Sequence, residues 1–192
     1  MAEEQETGLF GLKIRPVQTQ EELDALLGQN SECTGSGLEN VLVFAEKNKL
    51  FVIDKDDSVK KVASRDNWIL ALCSNNGKLY DAGDYKKVFE TLAGKEVASR
   101  DNWIVALCSH NGKLYDAGCY NKVFETLAGK EVASRDNSIL ALCSHNGKLY
   151  DAGVYNKVFE TLAGKEAASR NDHIWALCSH PRKAFVDAGI LK

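Results

Sequence analysis

The chain has 192 residues, with 24 Lys and Arg against 27 Asp and Glu, a formal net charge of −3 and a pI near 5.8. A nucleic-acid interface needs a basic surplus, which this composition lacks. No stretch approaches about 18 consecutive apolar residues, and the acidic start of the sequence is unlike a signal peptide. We therefore expect a soluble, cytoplasmic protein with neither a membrane nor a nucleic-acid partner.

Residues 1–38 precede the repeated part of the sequence and form an N-terminal extension. After an acidic tail, residues 9–15 have the bulk of a β-strand, and Pro16 prevents that strand from continuing inside a sheet. A capping box that begins at Thr19, followed by an apolar stripe, predicts one short helix that ends before Gly28.

A 35-residue repeat governs residues 39–192. Residues 67–101 return twice with few changes, and two divergent partial copies flank the three similar ones. The five copies are 41–66, 67–101, 102–136, 137–171 and 172–192. Self-similarity at this spacing is typical of propellers, solenoids and helical arrays.

Each full copy is predicted to form four short strands in two hairpins, which we term strands a, b, c and d. Asn76-Gly77 supplies two residues that tolerate positive φ, as a type I′ hairpin turn between a and b requires. Ala93-Gly94 is a second candidate two-residue turn, between c and d. Strand a is apolar on both faces, which suits a strand packed between neighbouring repeats.

The alternative is a solenoid of 35-residue helical repeats, superficially like pentatricopeptide repeats. Glycine-containing turns leave no window of about 11 residues, the mean helix length, free of a helix breaker. The divergent stretch 40–54 aligns with the a–b hairpin of the later copies and is rich in β-branched and aromatic residues. An all-β fold is therefore favoured.

Four-stranded repeats of this length point to a small β-propeller in which each repeat is one blade. A buried strand, an Asn-Gly turn and a Gly-Lys-Leu-Tyr strand recur, and this pattern resembles WD-repeat and quinoprotein-type propeller blades over residues 40–192. The Gly-His and Trp-Asp dipeptides of WD repeats are missing. The resemblance thus implies a fold and no particular family activity.

Five blades are expected, with a shortened first blade and a last blade that stops after strand b. Propellers commonly close by lending a terminal strand to an incomplete blade, and residues 9–15 are the available donor for the last one. A ring closed in this way predicts a monomer. A fragment of a larger ring is the alternative.

Cysteines recur at one position of strand a: Cys73, Cys108, Cys143 and Cys178. The repetition predicts that each cysteine fills the same packing position in its own copy, since free cysteine behaves as a small buried hydrophobe. Metal binding through the Cys-Ser-His runs and disulfide formation are the alternatives. No two cysteines have the spacing of a structural zinc site, so we predict no metal and no cofactor.

Aspartates and arginines also recur, beginning with Asp81 and Arg65. They predict hydrogen bonds between blades and stabilised turns. A ring of carboxylates that attracts a cation or a polar ligand is the alternative. Identical copies argue against an enzyme, because a general acid and a general base need different environments. No catalytic or nucleotide-binding motif is present either.

The similar copies differ mainly at two positions that flank strands a and b. The variable residues are Trp68, Trp103, Ser138 and His173 before strand a, and Asp84, Cys119 and Val154 after strand b. Pairing around the Asn-Gly turn sets residue 69 opposite residue 84, so both positions are expected on one face of the disc. Free drift of exposed loop residues is one explanation. The other is a diversified recognition face, since exposed Trp and His anchor ligands.

Two functions fit these patterns. The first is a non-catalytic binding module or scaffold that recognises a protein partner through the variable face. The second is a lectin-like module with one weak glycan site per blade, built from an aromatic platform and the nearby Asp84. An enzyme is the less favoured third class, since fold analogy alone supplies no reacting groups.

Overall fold

The computed structural model describes residues 14–16, 42–53 and 58–179, the first of these by their backbone alone. The helix predicted before Gly28 and strand b of the last copy lie outside the described residues. Within them, the only helical element is a single 3₁₀ turn, and no helix is long and apolar enough to cross a membrane. The all-β prediction is confirmed, and the helical solenoid is wrong.

The described residues form sixteen β-strands in four four-stranded sheets. The first sheet contains β1 (Ile14–Pro16), β2 (Leu42–Glu46), β3 (Lys49–Ile53) and β4 (Val59–Ser64). The second contains β5 (Ile69–Asn75), β6 (Lys78–Gly83), β7 (Lys87–Glu90) and β8 (Lys95–Ser99). The third contains β9 (Ile104–His110), β10 (Lys113–Gly118), β11 (Lys122–Glu125), the 3₁₀ turn Thr126–Ala128 and β12 (Lys130–Ser134). The fourth contains β13 (Ile139–His145), β14 (Lys148–Gly153), β15 (Lys157–Glu160) and β16 (Lys165–Ser169).

Each of the three similar copies forms one antiparallel sheet in the predicted order a, b, c, d. The Asn-Gly turn between a and b is confirmed, since Asn76 and Gly77 have φ of 49° and 72° and Asn75 pairs with Lys78. Both turn residues therefore adopt the positive φ of a type I′ turn. The copies thus build sheets that resemble propeller blades.

The connection between c and d is longer than the predicted two-residue turn. In the second sheet, β7 ends at Glu90 and β8 begins at Lys95. Thr91 is held beside the sheet because its N–H donates to Leu79 O at 2.9 Å and its hydroxyl donates to Asp81 at 2.7 Å. These two bonds divert the chain and leave a four-residue turn.

A β-bulge changes the predicted register between strands a and b. Ala71 pairs with Ala82 as expected, but Ile69 pairs with Gly83 rather than with residue 84. The bulge lets Trp68 O accept a hydrogen bond from the N–H of Asp84 at 3.2 Å. Gly83 is required there, because a Cβ on it would lie 1.9 Å from Trp68 O.

Residues 42–53 correspond to strands b and c, and their alignment with an a–b hairpin is wrong. β3 pairs with β4 with a bulge after Leu50, as β7 pairs with β8 with a bulge after Val88. β2 also lies beside β5, as β6 lies beside β9. The short turn at Lys47, whose φ is 53°, has the spacing of the Asn-Gly turn and explains the misalignment.

The N-terminal strand joins the first sheet and not the last. Ile14 pairs with Val59 and Pro16 with Lys61, in parallel orientation, so β1 lies outside β4. β4 is the outermost strand of its copy, and its backbone groups would otherwise form an unpaired sheet edge. The predicted donation of this strand to the last blade is therefore wrong. Residues 172–179 contain no strand, so the described residues show four sheets and no closure into five blades.

The core lies where strand a of one sheet packs against its neighbours. β9 lies between β5 and β13, and its residues alternate between buried and half-buried along the strand. Ile104 and Ile139 are fully buried. The prediction that strand a packs between neighbouring repeats is confirmed for this central copy.

The crowded glycine at the end of strand b gives a stability test. We predict that Gly118→Ala lowers the free energy of unfolding by about 2 to 3 kcal/mol, because the new Cβ must displace a backbone carbonyl. That Cβ would lie 2.0 Å from Trp103 O. Gly129→Ala is the matched control, since Gly129 has φ of 63° and open space around it. Urea denaturation that gives equal losses for both variants would contradict the crowding.

The loop between b and c gives a second test. Lys86, Asn121 and Asn156 occupy one repeat position, each with φ of 61°. Asn tolerates this left-handed conformation better than Lys does. We predict that Lys86→Asn raises the free energy of unfolding by about 0.5 to 1 kcal/mol and that Asn121→Lys lowers it similarly. Changes of the same sign in both variants would refute this explanation.

Candidate functional site

The structure brings the variable residues together in pairs at one end of each sheet. The N–H of Cys119 donates to Trp103 O at 3.0 Å, and the N–H of Val154 donates to Ser138 O at 3.1 Å. These bonds repeat the one between Asp84 and Trp68. The loop before strand a therefore lies against the loop after strand b in all three complete sheets.

A second set of backbone bonds joins the same loops along the row of sheets. The N–H of Arg100 donates to Lys86 O at 2.8 Å, and Arg65, Arg135 and Arg170 make the equivalent bond. The loops thus form one continuous surface, which we call the rim. It comprises residues 47–48, 65–68, 84–86, 100–103, 119–121, 135–138, 154–156 and 170–173.

Aromatic side chains stand out from the rim into solvent. Trp68 is 57% exposed and Trp103 is 50% exposed. His173 is also exposed, whereas Ser138 and the three variable residues after strand b are half-buried. Among these variable residues, the two tryptophans are the most exposed apolar side chains.

Side-chain bonds hold the rim loops in place. Asn102 Oδ1 accepts the N–H of Trp103 at 2.8 Å, and Asn102 Nδ2 donates to Cys119 O at 3.4 Å. Asn137 and Asp172 accept the following backbone N–H in the same way. These bonds hold the backbone that carries the variable side chains.

Trp175 is an exposed aromatic residue that the sequence analysis missed. It is 70% exposed, and its ring centroid lies 6.0 Å from that of His173. It replaces the aliphatic residues Leu70, Val105 and Leu140 of the other copies. A comparison of strand a between copies would have revealed this change.

A buried ion pair lies beneath the rim in each of the three complete sheets. Arg100 donates from Nε and Nη2 to the two oxygens of Asp116 at 2.8 and 2.6 Å. Tyr120 donates its hydroxyl to the same carboxylate at 2.5 Å, and the guanidinium lies 4.2 Å from the Phe124 ring centroid. The Asp116 side chain has no solvent exposure. The carboxylate is therefore fully satisfied by charged and polar donors.

The same cluster occurs in the other complete sheets, around Asp81 and Asp151. Each arginine follows strand d of one copy, and its aspartate lies in strand b of the next. The predicted hydrogen bonding between blades is confirmed. The alternative, a carboxylate ring that attracts a cation, is wrong for these three residues, because arginine neutralises each of them.

Burial and the neighbouring carboxylate keep the tyrosine of each cluster protonated. Desolvation raises the pKa of the Tyr120 hydroxyl well above its ordinary value, and the charge of Asp116 raises it further. The pKa of Tyr85 and that of Tyr155 rise for the same reasons. The phenol therefore acts as a permanent hydrogen-bond donor.

The repeated cysteines behave as packing residues. Burial raises the pKa of Cys73 to about 11 and that of Cys108 to about 12, so both thiols stay protonated near neutral pH. Burial also raises the pKa of Cys143. All five cysteines in the described ranges are free thiols.

The histidines that end strand a bond to a serine of the following copy. His110 Nδ1 lies 2.8 Å from Ser144 Oγ, and His145 Nδ1 lies 2.8 Å from Ser179 Oγ. Ser109 makes the equivalent bond to Asn75 Oδ1 at 2.7 Å. Across residues 42–53 and 58–179, no group of three or more His, Cys, Asp or Glu side chains is placed to hold a metal ion.

No known protein family and no curated protein matches the sequence. Among solved structures, a chain of the mitotic checkpoint complex matches with a TM-score of 0.58 at 13% identity, over 74% of this chain and 52% of that chain. The WD40 β-propeller domain of Doa1 matches with a TM-score of 0.49 at 14% identity, over 68% and 55%. The computationally designed Ika8 protein matches with a TM-score of 0.49 at 17% identity, over 76% and 54%. This chain spans about half the length of these chains, and the likeness concerns the fold alone.

The buried ion pair gives a test of what holds the sheets together. We predict that Asp116→Asn lowers the free energy of unfolding by about 3 to 5 kcal/mol, because it leaves the Arg100 guanidinium buried without a counter-charge. Glu125→Gln is the control. It removes the carboxylate that bonds Lys113 at 2.9 Å, in a pair whose side chains are 54% and 19% exposed. In chemical denaturation, Glu125→Gln should lower the free energy of unfolding by less than about 1 kcal/mol. Equal losses would show that the buried pair does not stabilise the row of sheets.

Proposed function

We propose that this chain is a non-catalytic binding module that takes a protein partner on the rim. The observation that carries the proposal is the exposure of Trp68 and Trp103 at equivalent positions of neighbouring sheets. Both side chains rise from loops that backbone hydrogen bonds hold in place. Tryptophans of this kind are enriched among the residues that supply most of the binding energy in protein interfaces.

The variation along the rim favours a protein over a glycan. Trp68 has Asp84 beside it, whereas Trp103 has Cys119 in the equivalent place. Ser138 stands at the third position and offers no aromatic platform. A lectin-like module with one site per blade needs the same groups in each blade, but among the three complete sheets only the second pairs a tryptophan with a carboxylate across these two loops. A single asymmetric footprint fits a protein surface better.

The chemistry beneath the rim supports a role without catalysis. The repeated aspartates are neutralised by arginine, and the buried thiols of Cys73 and Cys108 have a raised pKa. A nucleophile or a general base needs the opposite tuning, with an ionisable group poised near neutral pH.

The proposal predicts that Trp68→Ala with Trp103→Ala lowers partner affinity by about 2 kcal/mol or more, because hot-spot anchors carry that much binding energy. Tagged chains would be used to recover partners from a lysate, and quantitative mass spectrometry would compare the variants. Leu127→Ala with Leu162→Ala is the matched control. These side chains are 55% and 52% exposed but lie in the c–d turns, away from the rim. Melting temperatures of both double variants should stay near that of the wild type.

The proteins expected to bind the rim are recovered with the wild type and the leucine variant and lost with the tryptophan variant. Recovery that is equal for all three chains would overturn the rim as the recognition face. Treating the lysate with glycosidases tests the lectin-like alternative. Partners that are no longer recovered after that treatment would indicate that the chain binds glycans.

A further inference from the structure

The first sheet leaves uncovered an apolar position that is buried in the third and fourth sheets. β2 corresponds to strand b, which in each complete sheet lies between strands a and c. Leu42 of β2 is 64% exposed, whereas Leu114 and Leu149 at the equivalent position are each 1% exposed. Within the described residues, the first sheet has the order β1-β4-β3-β2, with no strand at the place of strand a.

Strand a of the second sheet is also less buried than its equivalents, on the side that faces the first sheet. Ala71 of β5 is half-buried, whereas Ala106 and Ala141 at the same repeat position are each 7% exposed. Leu70 is 40% exposed. Because the sequences of these strands are almost identical, the difference arises from what lies next to them. In the part of the chain that the structure describes, no strand a of the first sheet lies beside β5.

The opposite end of the row carries a copy of strand a that pairs with no described strand. Residues 174–179 have the sequence Ile-Trp-Ala-Leu-Cys-Ser, and the hydrogen bond from Ser179 to His145 places them beside β13, as Ser144 lies beside β9. These residues form no strand, and Ala176 and Cys178 are exposed. No backbone hydrogen bond joins residues 174–179 to β2, although both segments are described.

We propose that β2 of one molecule pairs with residues 174–179 of a second copy of this chain. The complete sheets supply the register, because Cys73 pairs with Tyr80 and Ala71 pairs with Ala82. Applied to the junction, this register sets Cys178 opposite Val43 and Ala176 opposite Ala45. A strand added to a sheet edge gains backbone hydrogen bonds and covers the apolar positions on both sides.

The occupant is a second copy because, among residues 42–53 and 58–179, each molecule carries one acceptor edge and one donor segment, and these two do not meet. In a symmetric dimer, β2 of each molecule pairs with residues 174–179 of the other, so both acceptor edges and both donor segments are paired and the assembly is closed.

The junction lacks the ion pair that joins consecutive copies within the chain. Phe44 occupies the place of Asp81 in strand b, and its ring stacks on that of Phe51 with centroids 5.3 Å apart. Arg170 is exposed, so it would meet an aromatic face and no carboxylate there. The dimer should therefore form by apolar burial and strand pairing, and dissociate on dilution.

A cysteine cross-link tests both the register and the partner. Val43→Cys places a thiol opposite Cys178, within the Cα separation that a disulfide bridges. Mild oxidation should yield a covalent dimer, about twice 21.1 kDa on a non-reducing gel. Peptide mapping should identify a link between positions 43 and 178. The product should be absent from Val43→Cys with Cys178→Ser, and weak with Leu42→Cys, whose position is out of register.

Sedimentation of the unmodified chain and of Ala176→Pro provides the second measurement. The wild type should be a dimer that dissociates on dilution, and Ala176→Pro should be a monomer, because proline disrupts strand pairing. Residue 176 lies in no strand of the isolated chain, so this change leaves the four sheets intact. A 43–178 link at monomer mass would overturn the second copy in favour of closure within one chain. A wild type that stays monomeric at all concentrations would also overturn it.

Discussion

The buried ion pair between an arginine of one copy and an aspartate of the next is the constraint on which this structure depends. Asp116 has no solvent exposure, so its charge is tolerated only because Arg100 and Tyr120 satisfy it. The arginine follows strand d of the preceding copy, and neither sheet can satisfy the carboxylate alone. The interaction therefore fixes the order and spacing of consecutive sheets, while apolar burial supplies most of the stabilising free energy.

The rim follows from that constraint. Arg100 lies two residues before Asn102, whose side chain holds the backbone at Trp103. The ion pair thus anchors the base of the loop that carries the variable residue. Since the loop conformation is set by backbone bonds and by the buried cluster, the side chain at this position can change between copies at little cost to the fold. A surface of this kind can diversify while its scaffold repeats.

The sequence was sufficient where structure is set locally. The Asn-Gly turn and the order of strands a to d follow from turn chemistry and alternation, and the variable residues were correctly grouped at one end of the sheet. The sequence was insufficient where contacts between residues distant in sequence determine the local structure. Thr91 lengthens the c–d turn by bonding Asp81, the bulge at residue 70 depends on Trp68 O, and the first hairpin was misassigned because Lys47 imitates the Asn-Gly spacing. The role of the rim remains a proposal, since position alone does not name a ligand.

Near-identical copies also leave apolar surface exposed at the two ends of the row of sheets. A sequence suited to an internal sheet is apolar on both faces, and a terminal sheet with that sequence exposes one of them. Val158 of the fourth sheet is half-buried although Val88 and Val123 at the same position are fully buried, and Leu42 of the first sheet is 64% exposed although Leu114 at the same position is 1% exposed. Repeat proteins usually solve this with polar terminal repeats. Neither terminal sheet described here has been altered in that way at these positions. In the dimer proposed above, each terminal sheet is covered by the opposite end of the row in a second copy of this chain, which has the shape of an internal neighbour.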